Sequence, residues 1–231
     1  MDIFKQHEAF EIEILDKMNS AKVLEPLVFG GGTMLRLCHE LSRYSVDLDF
    51  WFVKRTPQKK YFDTIKKAFE KDYEITDAKI KHYTFLFELR SAQYPKRLKI
   101  EIRRELKQCD YQKMIAFSRT SSRQVLVNAH TLGQAMKNKI QALLDRAEIR
   151  DGFDIEFLIR RGVDLPVSSA RDAAALQKKI ARFRDIDFRV KLGSIVGKDI
   201  RDYYVDNRFS FLEGKLAAMA SKWRQGSDFP G

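Results

Sequence analysis

The sequence is short of the residues that staple small domains. Only two cysteines occur in 231 residues, Cys38 and Cys109, and neither sits in a paired motif. Both a disulfide framework and a cysteine-ligated zinc site are thereby disfavoured. Histidine is equally scarce: His7, His39, His82 and His130 stand far apart. They make no metal-ligand spacing and no visible triad, so none is assigned a catalytic role. No apolar run reaches the roughly 20 residues that span a bilayer, and the segment Met1 to Glu8 lacks a signal-peptide core. A cytoplasmic protein with no membrane partner is expected. The chain also has no GxxxxGK[ST] and no GxGxxG, which removes the P-loop and the Rossmann fingerprint. Internal repeats and low-complexity tracts are missing as well.

What is present describes a packed protein with a wet, basic surface. Hydrophobic residues make up 44%, with 17 phenylalanines, against 32% charged residues. The excess of 43 Lys+Arg over 32 Asp+Glu gives +11 at pH 7, which favours polyanions such as RNA, DNA or nucleotides. An ordinary basic surface kept soluble by its charge is the alternative. The length suits two modest domains. The expected class is α+β: a mixed β-sheet flanked by helices over 1–128, then a helical domain over 129–231, with the boundary near 123–130.

The most informative stretch runs from Phe29-Gly30-Gly31-Gly32-Thr33 to Ser45-Val46-Asp47-Leu48-Asp49-Phe50. A short strand from Val23 to Phe29, interrupted by Pro26, delivers the chain to the glycines, and Thr33 to Leu41 has helical spacing. A strand-to-helix turn of this kind points free N–H groups and the positive end of a helix dipole at an anion. A purely structural turn has the same composition. Val46 to Val53 reads as a strand with Val46, Leu48, Phe50 and Phe52 on a core face, and Asp47, Asp49 and Trp51 on the other. The two carboxylates would lie about 6.5–7 Å apart on that face. Such a pair is costly unless a cation neutralises it or solvent covers it. A later strand, Leu98 to Arg103, presents Glu101 opposite Ile100 and Ile102. Glu101 either joins the aspartates or pairs with Lys99 or Arg103.

In the second half, Thr131 to Arg146 is amphipathic. At about 100° per residue Leu132, Met136, Ile140, Leu143 and Leu144 form the apolar stripe, with Lys139 and Arg146 inside or beside it. A lysine so placed needs an anion: a ligand in a cleft, a buried acid, or solvent reached by snorkelling. Asp151 and Asp154 follow at i, i+3. Asp151 suits an N-cap or first-turn position, whereas Asp154 could orient Lys139 or Arg146. Beyond Ser168 the cations Lys178, Lys179, Arg182, Arg184, Arg189, Lys191, Lys215, Lys222 and Arg224 are either a solvated face or the bed of a nucleic-acid backbone.

These parts suit nucleotidyl transfer. The glycine turn would hold a triphosphate, Asp47 and Asp49 with Glu101 would position divalent cations, and Lys139 would neutralise phosphate charge. Gly31-Gly32-Thr33 followed by Asp47-x-Asp49 resembles the polymerase-β-type nucleotidyltransferase superfamily. The longer pattern resembles the AbiEii/AbiGii toxin family: Gly31 to Leu37, Arg43 to Phe50, and Lys139-x-x-Ala142-Leu143-x-x-Arg146-x-x-x-Arg150-Asp151-x-x-Asp154. Val46 departs from it, standing where the family commonly has an acid. The resemblance covers roughly residues 27 to 160. It implies a toxin of a toxin–antitoxin or phage-defence pair that moves NMP from an NTP, with Mg²⁺ or Mn²⁺, onto RNA, tRNA in the first place. A cognate antitoxin or transcriptional regulator encoded nearby is the implied partner. Carried over to this chain, Gly31, Gly32, Thr33 and Lys139 would bind nucleotide, Asp47 and Asp49 would bind metal, and Asp154 would support catalysis or act as base. Transfer to a protein or a small molecule, and a non-catalytic RNA- or partner-binding module, are the competing readings.

Overall fold

The computed structural model describes residues 3–226, with side chains described through Ser221. Asp2, a candidate cap of the first helix, and the side chains of Lys222 and Arg224 lie outside the described residues. The chain divides into two compact units, Met1–Thr131 and Leu132–Gly231.

The first unit is a mixed sheet with helices. Its elements are α1 (Ile3–Ser20), β1 (Leu27–Gly30), α2 (Gly31–His39), β2 (Asp47–Phe52), α3 (Gln58–Glu70), β3 (Glu74–Ile80), β4 (Thr84–Arg90), β5 (Leu98–Leu106), β6 (Tyr111–Phe117) and β7 (Gln124–His130). The seven strands run in the order β3-β4-β5-β2-β1-β7-β6. β2 is antiparallel to β1 and parallel to β5, and β1 is parallel to β7. This is the α+β architecture expected from the sequence.

β2 alternates as its pattern predicts: Leu48, Phe50 and Phe52 are buried, while Asp47, Asp49 and Trp51 are half-buried on the other face. The buried face is filled by aromatic rings. Phe50 stacks on Phe29 at 5.1 Å, and Phe52 meets Tyr61 and Phe85 at 5.2 and 5.9 Å. Phe62 and Phe69 of α3 continue the cluster onto Phe87. Rings of this size supply most of the apolar area such a core removes from water. On α1, Phe10, Ile14, Leu15 and Met18 are fully buried, and so are His7 and Glu11.

The structure departs from the expected first strand and adds two that the pattern does not show. β1 starts only at Leu27, because Pro26 has no N–H for a ladder; its carbonyl instead accepts from Val53 N at 3.0 Å. β6 is a strand that the sequence does not announce: it is a sheet edge with most of its residues exposed, so no clean alternation marks it. The stretch 123–130 is mostly β7, buried from Val127 to His130 through a mixture of polar and apolar residues.

The second unit is helical among the described residues: α4 (Leu132–Arg146), α5 (Ile149–Arg160), α6 (Ala170–Ile180), a π-helical turn (Asp187–Leu192), α7 (Lys198–Asn207) and α8 (Ser210–Gly226). Its core gathers Phe153, Phe183, Phe188, Tyr204 and Phe209, with Phe209 within 5.3–5.8 Å of three of the others.

Candidate active site

The site begins where β1 turns directly into α2. Gly31 has φ +73, and a Cβ there would stand 2.4 Å from Asp49 Oδ2. The missing side chain thus does two things: it allows the left-handed turn and it lets the Asp49 carboxylate lie against the helix start. Register places them together, since Gly30 of β1 pairs with Asp49 of β2. At Gly32 a Cβ would stand 2.4 Å from Arg43 Nη2 and 2.8 Å from Ser45 Oγ, so the loop before β2 packs on the bare backbone. The N-cap, Gly30, has no side chain to bond the first turn of α2, and that turn holds no acid of its own. Its backbone N–H groups and its share of the helix dipole therefore face anions from outside the helix, the Asp49 carboxylate among them.

Thr33 takes a different part from the one its motif suggests. It is fully buried, and its Oγ1 donates to the Asp47 carbonyl at 2.6 Å. Its hydroxyl holds the start of β2, leaving only its backbone N–H for an anion.

Asp47, Asp49 and Trp51 line one face of β2, and the parallel neighbour β5 sets Lys99, Glu101 and Arg103 beside them. Glu101 is level with Asp49 but turns to Lys99 on its own strand, at 2.8 Å. The Lys99 ammonium is held above its ordinary pKa by this hydrogen bond and by the charges of Asp47, Glu101 and Asp49. Among the described residues no three His, Cys, Asp or Glu gather closely enough to hold a metal ion. Of the three expected acids, Asp47 and Asp49 share a face of β2, while Glu101 is paired with Lys99. The pair still fits a hard divalent cation: Mg²⁺ is commonly held by one or two carboxylates, completed by substrate phosphates and water.

Lys99 is one of the two partners that the strand pattern offers Glu101. Composition gives no hint of Arg43, which is 2% exposed and donates Nη1 to the Tyr44 carbonyl at 2.9 Å; the bare backbone of Gly32 reveals it. His130, at the end of β7, stands beside Gly30 and 4.9 Å from the Trp51 ring. Burial, with a smaller contribution from Lys107, pushes its pKa down to about 4.

In the second unit the remaining candidates meet one another. Lys139, only 8% exposed, lies 2.6 Å from Asp154 and 3.5 Å from Asp151. Arg146 grips Asp151 with Nε and Nη2, both at 2.8 Å. Asp151 sits in the first turn of α5, and both aspartates are fully buried. The lysine on the apolar stripe of α4 is therefore explained by two buried acids from α5, with Asp154 the closer. A balanced cluster of this kind fixes side-chain geometry more surely than it adds stability.

A family model described as the nucleotidyl transferase AbiEii toxin, of a type IV toxin–antitoxin system, matches residues 13–225. No curated protein matches. Among solved structures, JHP933 from Helicobacter pylori is similar with a TM-score of 0.57 at 18% identity, over 95% of this chain and 98% of its own. A putative nucleotidyltransferase from H. pylori gives 0.55 at 18%, over 91% and 97%. MenT4, the nucleotidyltransferase toxin Rv2826c of Mycobacterium tuberculosis H37Rv, gives 0.50 at 16%, over 94% and 88%. At these identities the likeness is one of fold.

Proposed function

The chain belongs to the AbiEii nucleotidyl transferase toxin family, and from that premise we propose that it transfers NMP from an NTP to an RNA hydroxyl, tRNA being the first acceptor to test. The observation that carries this reading is the closeness of Asp49 Oδ2 to Gly31, where a Cβ would stand 2.4 Å from it, so that the start of α2 lies beside the carboxylate of Asp49. A triphosphate and the charge that must neutralise it are both provided for at one turn.

In the proposed reaction the acceptor oxygen forms a bond to the α-phosphorus, the bond from that phosphorus to the β-phosphate oxygen breaks, and pyrophosphate leaves. The hydroxyl proton is lost to solvent or to a base. Asp47 and Asp49 would hold Mg²⁺ or Mn²⁺, which when bound supplies charge neutralisation on the triphosphate and acidifies the attacking hydroxyl. The backbone N–H groups of Gly31, Gly32 and Thr33 bind phosphate oxygens. Lys139 keeps its expected role towards the nucleotide as part of this proposal, with Asp154 orienting its ammonium. An RNA acceptor is supported by the +11 net charge and by exposed Lys178, Arg182, Arg184 and Arg189. Lys191 is a weaker candidate, because it already pairs with Asp187 at 2.6 Å. The family's type IV system implies an antitoxin partner, and cytoplasmic action on host RNA follows from the same reading.

Incubating the purified protein with labelled NTPs, Mg²⁺ or Mn²⁺ and total tRNA should label RNA, and Asp49→Ala should not. Label appearing instead on a protein or a small molecule overturns the RNA assignment. Toxicity that survives Asp49→Ala overturns the enzymatic one.

A further inference from the structure

The segment leading into β2 is held by side chains where β1 does not reach it, while β5 pairs with β2 from Asp47 onward. β1 pairs with β2 from Leu27↔Phe52 to Gly30↔Asp49 and stops there, so on that side the ladder ends before Leu48 and Asp47. Val46 precedes the strand altogether. The two carbonyls at this entry are taken by helices. His7 Nε2 of α1 stands 3.0 Å from Val46 O, and Thr33 Oγ1 of α2 donates to Asp47 O at 2.6 Å.

The tether from α1 is built at a cost. His7 and Glu11 are each 1% exposed. Among the described residues His7 Nδ1 and Glu11 Oε1 have no hydrogen-bond partner, and Glu11 Oε1 lies 3.6 Å from His7 Nε2. A leucine at either position would avoid that penalty, so stability alone does not account for the pair. Burial holds the imidazole below its ordinary pKa, so that it is neutral near pH 7, and the Glu11 carboxyl well above its own. With a carbonyl as its partner, the neutral imidazole carries its proton on Nε2 and donates it.

We propose that His7 is a positioning residue for the Asp47/Asp49 pair: by holding the Val46 carbonyl from α1, as Thr33 holds that of Asp47 from α2, it fixes where the first carboxylate enters the site. The inference rests on the nucleotidyl-transfer reading above. Misplacing a reacting group by an ångström can cost on the order of 100-fold in rate with little change in binding.

The test compares variants that differ in reach. His7→Gln can put an amide N–H where Nε2 stands, His7→Asn is polar but too short, and His7→Leu removes both the donor and the unpartnered nitrogen. In the labelled-NTP assay His7→Asn and His7→Leu should lose roughly 10- to 100-fold in kcat with KM for NTP within about 3-fold. His7→Gln should regain most of it, and His7→Leu should melt no lower than wild type. Amide exchange over residues 45–50 should rise in the two impaired variants and return in His7→Gln, whether or not nucleotide is transferred. Unchanged exchange, or a His7→Gln as impaired as His7→Asn, overturns the proposal even where the wild-type chain is active. A wild-type chain that transfers nothing, with exchange responding as expected, overturns the transfer reading instead. If His7→Leu does not fold, the Gln and Asn variants decide the matter between them.

Discussion

At the scale of single residues, Gly31 is the position where the fewest atoms decide the most. Gly31→Ala would need φ near +73 and a Cβ 2.4 Å from Asp49 Oδ2. The strained backbone costs about 1–2 kcal/mol, and the displaced carboxylate should lower transfer by roughly 100-fold or more. Melting curves and single-turnover rates separate the two effects; an active, stable Gly31→Ala would refute this geometry. His130 gives a prediction in pH. Its folded pKa, about 4, lies below its unfolded value, so the native state disfavours the charged form. The stability that depends on neutral His130 is present above about pH 6.5 and is lost as pH falls towards 4, by something on the order of 3 kcal/mol. Denaturant titrations of His130→Gln against wild type should show a shallower loss over that window. An identical slope would mean that the ring is not buried in solution.

At the scale of elements, glycines inside helices carry opposite predictions. Gly214, within α8, and Gly133, near the start of α4, have nothing within 4 Å of the place a Cβ would take. Gly214→Ala should therefore stabilise by about 0.5–1 kcal/mol through helix propensity. Gly152 of α5 differs, since its Cβ would touch Phe209 at 3.0 Å, and Phe209 is fully buried among Phe183, Phe188 and Tyr204. Gly152→Ala should destabilise by about 1–3 kcal/mol by overpacking, as chemical denaturation would show. The same contrast marks how far the sequence can be read. β2, β5 and α4 declare themselves because burial is one-sided and the period survives. Asp47 and Asp49 stand out for that reason, and Lys139 by being on the wrong side of its helix. β6 and β7 do not, because an edge strand and a strand end buried with polar residues break the alternation. Glu101 falls on the face its pattern predicts, but its ion pair with Lys99 lies two residues away on the same strand and competes with any role beside Asp49. His7 is invisible at this level, because isolation in sequence says nothing of a carbonyl 39 positions on.

At the scale of the whole molecule, the charge excess becomes a prediction about the acceptor. A net +11 attracts any polyanion, and by itself it does not distinguish a bound RNA from a soluble basic surface. The exposed arginines 182, 184 and 189 make the distinction measurable. If they neutralise RNA phosphates, the logarithm of KM for RNA rises linearly with that of salt concentration, by roughly 0.7 per phosphate neutralised on a single strand. Arg182→Ala, Arg184→Ala and Arg189→Ala combined should then flatten that slope by about 2 and weaken RNA binding at low salt. KM for the nucleotide should stay within about 2-fold, since uniform loss of acceptor binding leaves the other substrate untouched. Steady-state kinetics at several salt concentrations give both quantities from one set of reactions. A triple variant with the wild-type slope would put the acceptor elsewhere, and a KM for the acceptor indifferent to salt would remove RNA from consideration altogether.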